Sequence, residues 1–220
     1  LCIQLEAEGM NITYEDNPAH LPENTDMVIY TPAIPSDNNI LQTVLQKGLK
    51  IEKRAKALAE IIKDKKVIAI AGTHGKTTTS GLLAHLLNKS KIGCSAFLGG
   101  ISNNYQTNML FDEKSEYVVV EADEYDRSFL QLTPYVSAIT SISPDHLDIY
   151  KNYRDLENSF AQFVNQTKEN GQVYLKKGIE IETKQEIKSN TYSLTDIESD
   201  FYVWNVRVSK GSYYFDYHTP

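Results

Sequence analysis

The residues best suited to chemistry cluster in Ala71-Gly-Thr-His-Gly-Lys-Thr-Thr-Thr79. Glycines at 72 and 75 permit a closer ligand approach than a Cβ would allow. A turn between a buried strand and a helix points successive backbone N–H groups at one centre, and the helix N-terminus adds positive potential. This is chemistry for phosphate. Gly72, Thr73, His74, Gly75, Lys76, Thr77 and Thr78 form the expected cradle for ATP, with Lys76 reaching the β- and γ-phosphates and the Thr77 hydroxyl coordinating Mg²⁺. The long P-loop pattern wants a glycine six residues before the lysine, at position 70, where this chain has Ile70.

Two acidic segments follow. Glu121-Ala-Asp-Glu-Tyr-Asp126 begins where an apolar run ends, and a carboxylate at that edge of a sheet suits a second Mg²⁺ ligand. Glu121 is the expected ligand, whereas Glu124 reads as part of a solvated turn. Ser143-Pro-Asp-His-Leu-Asp148 closes the next apolar run. A histidine there, flanked by Asp145 and Asp148, suits metal ligation and a plain surface or core position equally well.

The flanking elements must hold these groups. Val67–Ala71 is all apolar, the texture of a strand buried on both faces in a parallel sheet. Residues 76–87 are expected to be a helix with Leu82, Leu83, Leu86 and Leu87 inside. Apolar runs over 117–121 and 136–142 supply two more strands, and 153–167 an amphipathic helix. Upstream, 26–30 reads as a short strand stopped by the prolines of Thr31-Pro-Ala-Ile-Pro35. A helix over 38–47 follows, with Ile40, Leu41, Val44 and Leu45 on one face. A second, over 53–63, turns Leu58, Ile61 and Ile62 inward. After Gly171 short alternating strands appear, notably 201–208 and 212–217. The expected fold is α/β: a P-loop-type, mostly parallel sheet flanked by helices with an antiparallel β annex, preceded by the tail of a Rossmann-like domain. The boundary is placed at 52/53.

Composition narrows the function. A net charge of −7 argues against nucleic acid as a partner. No apolar run approaches the length of a membrane span. Cys2 and Cys94, the only cysteines, are not in metal-ligand spacing, which excludes a disulfide scaffold and fits a reducing compartment. A P-loop switch or transport ATPase would use the longer loop with glycine at position 70, and commonly an aspartate at the Glu121 position. A nucleotide-binding module without catalysis is a further alternative.

Gly72-Thr-His-Gly-Lys-Thr-Thr-Thr79, Glu121-Ala-Asp-Glu-Tyr-Asp126 and Asp145-His-Leu-Asp148, in that order, resemble the motifs of the Mur ligase family, whose short P-loop, G-T-x-G-K-[ST], accounts for Ile70. Upstream, Leu5-Glu-Ala-Glu-Gly9, Thr31-Pro-Ala-Ile34 and Arg54-Ala-Lys-Ala-Leu-Ala-Glu60 are similar to the same family, so the resemblance spans nearly the whole chain. It implies a cytoplasmic, ATP-dependent amide ligase of cell-wall precursor synthesis. ATP phosphorylates the lactyl carboxylate of UDP-N-acetylmuramate, and the amine of L-alanine then attacks the acyl phosphate. A related member adds a recycled tripeptide to the same acceptor. Members that add later residues carry a carbamylated lysine downstream of the motif histidine, where this chain has Ser159-Phe-Ala-Gln-Phe163 and no lysine. The resemblance also implies that Lys76, Glu121 and His146 are catalytic. Thr77 and Glu121 would hold one Mg²⁺, and His146 would help hold a second. Thr31, Pro32, Ala33 and Asn108 would contact the UDP-sugar. It implies further that a diphosphate-binding loop precedes Leu1, and that an amino-acid-presenting domain follows Pro220. On that reading this stretch by itself binds ATP without completing the ligation. Oligomeric state is not readable from the residues.

Overall fold

The computed structural model describes residues 2–144 and 149–220. The chain divides into two compact units, Leu1–Ile61 and Ile62–Pro220.

The first unit holds the short helix α1 (Cys2–Ala7) and a two-stranded parallel sheet of β1 (Val28–Tyr30) and β2 (Ile51–Lys53). Helix α2 (Asn39–Gln46) joins the two strands and is capped twice. The Asn38 side chain accepts from the Leu41 N–H at 2.9 Å, and the Asp16 carboxylate accepts from the N–H groups of Asn39 and Ile40 at 2.8 and 3.0 Å. These donors hold the Asp16 carboxyl below its ordinary pKa. Val44 is the buried residue of α2, while Leu45, expected inside, is exposed. In α3 (Arg54–Ile62), Ile62 is buried, and Ile61, also expected inside, is exposed.

The second unit is built on one nine-stranded sheet. Its strands are β3 (Lys66–Ala71), β4 (Ser95–Ser102), β5 (Thr107–Leu110), β6 (Tyr117–Glu121), β7 (Val136–Ile139), β8 (Gln172–Lys176), β9 (Lys188–Ser193), β10 (Phe201–Ser209) and β11 (Ser212–His218). They lie in the order β11-β10-β9-β8-β7-β3-β6-β4-β5. The pairs from β10 through β4 are all parallel; antiparallel pairing is confined to the two ends, β10–β11 and β4–β5. The antiparallel annex is therefore a hairpin continuous with the main sheet, and β8 and β9, read as part of the annex, extend the parallel core. The strand expected over 136–142 stops at Ile139, and the helix expected to 167 is α5 (Tyr153–Val164).

Helix α4 (Lys76–Lys89) packs Ala84 into a cluster with Cys94, Ala96, Leu98 and Val119, joined by Leu83 and Leu87. Leu82 and Leu86, expected inside, are exposed. Helical rotation places Ser80, Leu83, Ala84 and Leu87 on one face, and the small Ser80 and Ala84 bring that face close to the sheet. Leu82 and Leu86 fall on the other side. Burial in this cluster pushes the Cys94 thiol up to about 11. A second core region stacks Phe129 on Phe163 at 4.9 Å and sets it edge-on to Phe160 at 5.3 Å. Among the described residues, no helix is long and apolar enough to cross a membrane.

Candidate nucleotide-phosphate site

Strand β3 lies mid-sheet, between β6 and β7. The chain leaves β3 through α4 for β4 on one side and later leaves β7 through α5 for β8 on the other. Right-handed crossovers running in opposite directions put the two helices on opposite faces and open a crevice at the C-terminal strand ends. Ala71, Glu121 and Ile139 end their strands at that crevice. The register sets Ile70 beside Glu121 on one side and Ala138 on the other. Ile70 is thus an ordinary buried strand residue, and the loop begins only at Gly72. This is why the glycine of the longer P-loop is not needed.

The loop is tightly braced. Gly72 has φ +133°, and a Cβ there would strike Thr140 Oγ1 and lie 2.8 Å from the Ser141 nitrogen. Residues trailing β7 form the second wall. Thr140 Oγ1 lies 2.5 Å from the His74 carbonyl oxygen and 3.1 Å from that of Ala71, available to donate to either. Ser141 Oγ accepts from the His74 N–H at 2.8 Å and lies 3.0 Å from Thr73 Oγ1. The His74 N–H is therefore engaged by Ser141. Gly75, at φ +87°, is the N-cap of α4, and no side chain caps the helix there. Its first-turn N–H groups have no partners within the helix, the ordinary arrangement of an anion-receiving end.

Four side chains stand in two pairs at the loop's exit. Thr77 Oγ1 donates to Glu121 Oε1 at 2.8 Å, and the Gly99 N–H donates to Glu121 Oε2 at 2.7 Å. Lys76 Nζ donates to the Gly72 carbonyl at 2.8 Å and lies 3.0 and 2.7 Å from the two oxygens of Glu124. A hydroxyl oxygen beside a carboxylate is a hard-oxygen donor set that fits Mg²⁺. The uncapped helix end and the lysine fit phosphate.

Glu124 corrects the sequence reading. It is fully buried and forms an ion pair with a lysine side chain only 13% exposed. The acidic run turns inward at Glu124, the residue before a 3-10 turn over Tyr125–Gln131. Tyr150 donates its hydroxyl to the Glu124 carbonyl at 2.6 Å, and the Arg127 N–H reaches the same carbonyl at 2.9 Å. Within that turn Asp126 and Arg127 take left-handed conformations, φ 50° and 55°, which non-glycine residues adopt at a cost. The Arg127 guanidinium is held by Asp155 at 2.7 Å and Ser159 at 2.9 Å, over the Tyr150 ring. Arg127 holds the Asp155 carboxyl below its usual range, and burial pushes the Tyr150 hydroxyl up to about 12.

The expected cradle residues Gly72 to Thr78 and the expected metal ligands Thr77 and Glu121 thus come together. His146, with Asp145 and Asp148, lies outside the described residues. Thr31, Pro32 and Ala33 form a turn after β1, closed by the Ile34 N–H on the Thr31 carbonyl at 3.1 Å. Asn108 is half-buried on the outermost strand β5, with β4 and β6 between it and β3. Sequence reasoning missed Glu124, Gly99, Thr140 and Ser141. Only the polar pair Thr140-Ser141, directly after an apolar strand, carried a signal that could have found them.

Fold and site together define a P-loop-type α/β domain with a carboxylate-bearing strand beside the loop. Residues 70–220 match the Mur ligase middle domain, and residues 3–66 match a second model described as Mur ligase family, catalytic domain. The chain belongs to the Mur ligase family. It is 44% identical over 225 residues to UDP-N-acetylmuramate--L-alanine ligase of Parabacteroides distasonis, covering 99% of this chain and 48% of that protein. To the protein of the same name from Porphyromonas gingivalis it is 42% identical, covering 99% and 49%. The chain spans about half the length of the curated relatives it matches. Among solved structures, the UDP-N-acetylmuramate-alanine ligase of Thermotoga maritima superposes with TM-score 0.77 at 25% identity, covering 91% of this chain and 45% of that one. A UDP-N-acetylmuramate:L-alanyl-gamma-D-glutamyl-meso-diaminopimelate ligase from Neisseria superposes with TM-score 0.83 at 21% identity, covering 99% and 72%, a likeness of fold.

Proposed function

We propose that this chain supplies the nucleotide-phosphate site of an ATP-dependent ligase that joins L-alanine to the lactyl carboxylate of UDP-N-acetylmuramate in the cytoplasm. The observation that carries the reading is the convergence of Lys76, Thr77 and Glu121 at the sheet's switch point. It stands in a chain 44% identical to a protein named for that reaction. Residues 53–220 form the ATP-binding part. Residues 1–52 belong to the part that binds the UDP-sugar, with Thr31, Pro32 and Ala33 as candidate contacts to the UDP group; Asn108, on β5 of the ATP-binding part, is a candidate contact to the sugar or lactyl end.

On this reading the γ-phosphoryl group moves from ATP to the lactyl carboxylate, releasing ADP. The alanine amine then attacks the acyl carbon, and phosphate leaves. Such chemistry asks the protein mainly to position two anions and neutralise the charge between them. Lys76 and the first-turn N–H groups of α4 bind and orient the phosphates. Thr77 and Glu121 would hold Mg²⁺, which when bound neutralises phosphate charge. Thr140 and Ser141 keep the loop from yielding as charge shifts. His146 is the candidate ligand for a second ion near the acyl phosphate.

The test is a product assay on the complete gene product with ATP, Mg²⁺, UDP-N-acetylmuramate and either labelled L-alanine or the tripeptide. ATP-dependent transfer of alanine to the UDP-sugar, lost in Lys76→Met, is expected. Transfer of the tripeptide in place of alanine would reassign the substrate, and no transfer of either would sink the ligase reading.

A further inference from the structure

The stretch of β4 that meets Glu121 has little ladder of its own. Among the described residues, pairing with β6 ends at Phe97 and Val120, and the register with β5 is broken between Phe97 and Ser102. Gly99 lies in that overhang, yet its N–H meets Glu121 Oε2 at 2.7 Å. The overhang runs along α4. At Gly100 a Cβ would lie 3.3 Å from the Thr77 methyl. From Thr77 the helix rises about 12 Å to His85, where the β4–β5 turn meets it again. There His85 Nδ1 lies 3.1 Å from Tyr105 Oη and 3.3 Å from Asn104 Nδ2, with the two rings 5.8 Å apart. An amide nitrogen has only protons to offer, so Nδ1 is the acceptor of the cluster. The turn is itself closed. The N–H groups of Tyr105 and Gln106 donate to the Ser102 carbonyl at 3.2 and 2.7 Å, and the Gln106 side chain donates to the Asn103 carbonyl at 2.8 Å. It therefore carries the position of Tyr105 back into β4.

Resting on the reading of Thr77 and Glu121 as Mg²⁺ ligands, we propose that His85 is a positioning residue for that site. With Tyr105 and Asn104 it clasps the β4–β5 hairpin to α4, fixing the Gly99 N–H where it orients Glu121. The hairpin then stays with the helix that supplies Thr77, so hydroxyl and carboxylate keep their 2.8 Å spacing before any cation arrives. With the clasp open, Glu121 must hold the overhang instead of being held by it. Donors already in place bind more tightly, because less ordering is left to be done on binding. His85 and Tyr105 are half-buried, so neither belongs to the core.

The test is Mn²⁺ binding in the presence of ATP, read by electron paramagnetic resonance on the complete gene product. Hydrogen exchange over 98–102 adds a readout that needs no metal. His85→Ala keeps α4, since alanine is the better helix former. It is expected to weaken Mn²⁺ binding roughly three- to ten-fold, the effect of about one net hydrogen bond, and to speed exchange over 98–102. Tyr105→Phe keeps the ring, removes the hydroxyl and should do the same more mildly. The double variant should bind no more weakly than His85→Ala, as coupling through one contact requires. His85→Asn, whose side-chain oxygen stands where Nδ1 stood, should restore affinity, whereas His85→Gln, whose amide lies farther out, should not. A merely structural role would not separate these two amides. Equal losses in His85→Asn and His85→Ala would overturn the proposal. If Glu121→Gln weakens Mn²⁺ binding while His85→Ala leaves it unchanged, whatever the exchange, the clasp falls and the metal site stands. If Glu121→Gln leaves Mn²⁺ affinity unchanged, the metal assignment falls and takes the proposal with it.

Discussion

Gly99→Ala puts one methyl group against the candidate metal ligand. The backbone at Gly99 is not in the left-handed region, so alanine fits its conformation. Its Cβ, however, would strike Glu121 Oε1 and lie 2.5 Å from Glu121 Cδ and 2.6 Å from Oε2. The carboxylate must swing away, losing the Gly99 N–H at 2.7 Å and the Thr77 hydroxyl at 2.8 Å. Hydrogen bonds to a charged acceptor contribute about 1.5–3 kcal/mol each, but Glu121 is only partly buried and water replaces part of the loss, leaving about 1–2 kcal/mol in stability. For Mn²⁺ in the presence of ATP the displaced ligand should lower affinity by about ten-fold, the effect of one lost charged contact. Urea denaturation reads the first quantity and electron paramagnetic resonance of free Mn²⁺ the second. A Gly99→Ala protein with unchanged midpoint and unchanged Mn²⁺ affinity would refute the assignment of Glu121 as a ligand fixed by β4.

Thr140→Val removes the hydroxyl facing the Ala71 and His74 carbonyls and should destabilise the protein by about 1–2 kcal/mol, with faster hydrogen exchange over 72–77. Unchanged exchange there would mean that Thr140 does not brace the loop. Phe129→Ala empties the centre of the Phe129–Phe160–Phe163 stack and should cost about 3–5 kcal/mol by chemical denaturation. Arg127 depresses the Asp155 carboxyl, so the stability that Asp155 contributes is present where it is ionised, above its ordinary pKa of about 3.9, and is lost as pH falls through the lowered value. The stability gap between the native protein and Asp155→Asn should accordingly close as pH is lowered from neutral toward 3. A constant gap would mean that the pair does not act through charge.

The strand–glycine loop–helix unit around Lys76 was legible because strand, glycine turn, lysine and helix follow one another locally, each with its own periodicity or steric signature. Glu121 was legible for the same reason, as the acid that ends an apolar strand. Glu124 was not. Four acids between 121 and 126 read as a solvated turn, and what buries one of them is distant: Tyr150, and a lysine 48 positions upstream. Gly99 was missed because Gly99-Gly100 breaks the alternation that would have marked β4, and its role depends on β6, which follows it in sequence and lies beside it in the sheet. Leu82 and Leu86 were read inward on hydrophobicity, whereas the face that packs was chosen by the smallest residues, Ser80 and Ala84. Parallel pairing of β8 and β9 was equally hidden, since alternation along a strand does not tell its direction.

The central claim is that ATP·Mg²⁺ is held by its phosphates between the start of α4 and the end of β6. Amide NMR on the labelled chain, titrated with ATP·Mg²⁺ and then with trace Mn²⁺, tests it directly. The expected result is amide shifts concentrated on Gly72–Thr78, followed by Mn²⁺ broadening strongest at Thr77, Gly99 and Glu121. Saturable shifts centred elsewhere, with those three amides left sharp, would contradict it.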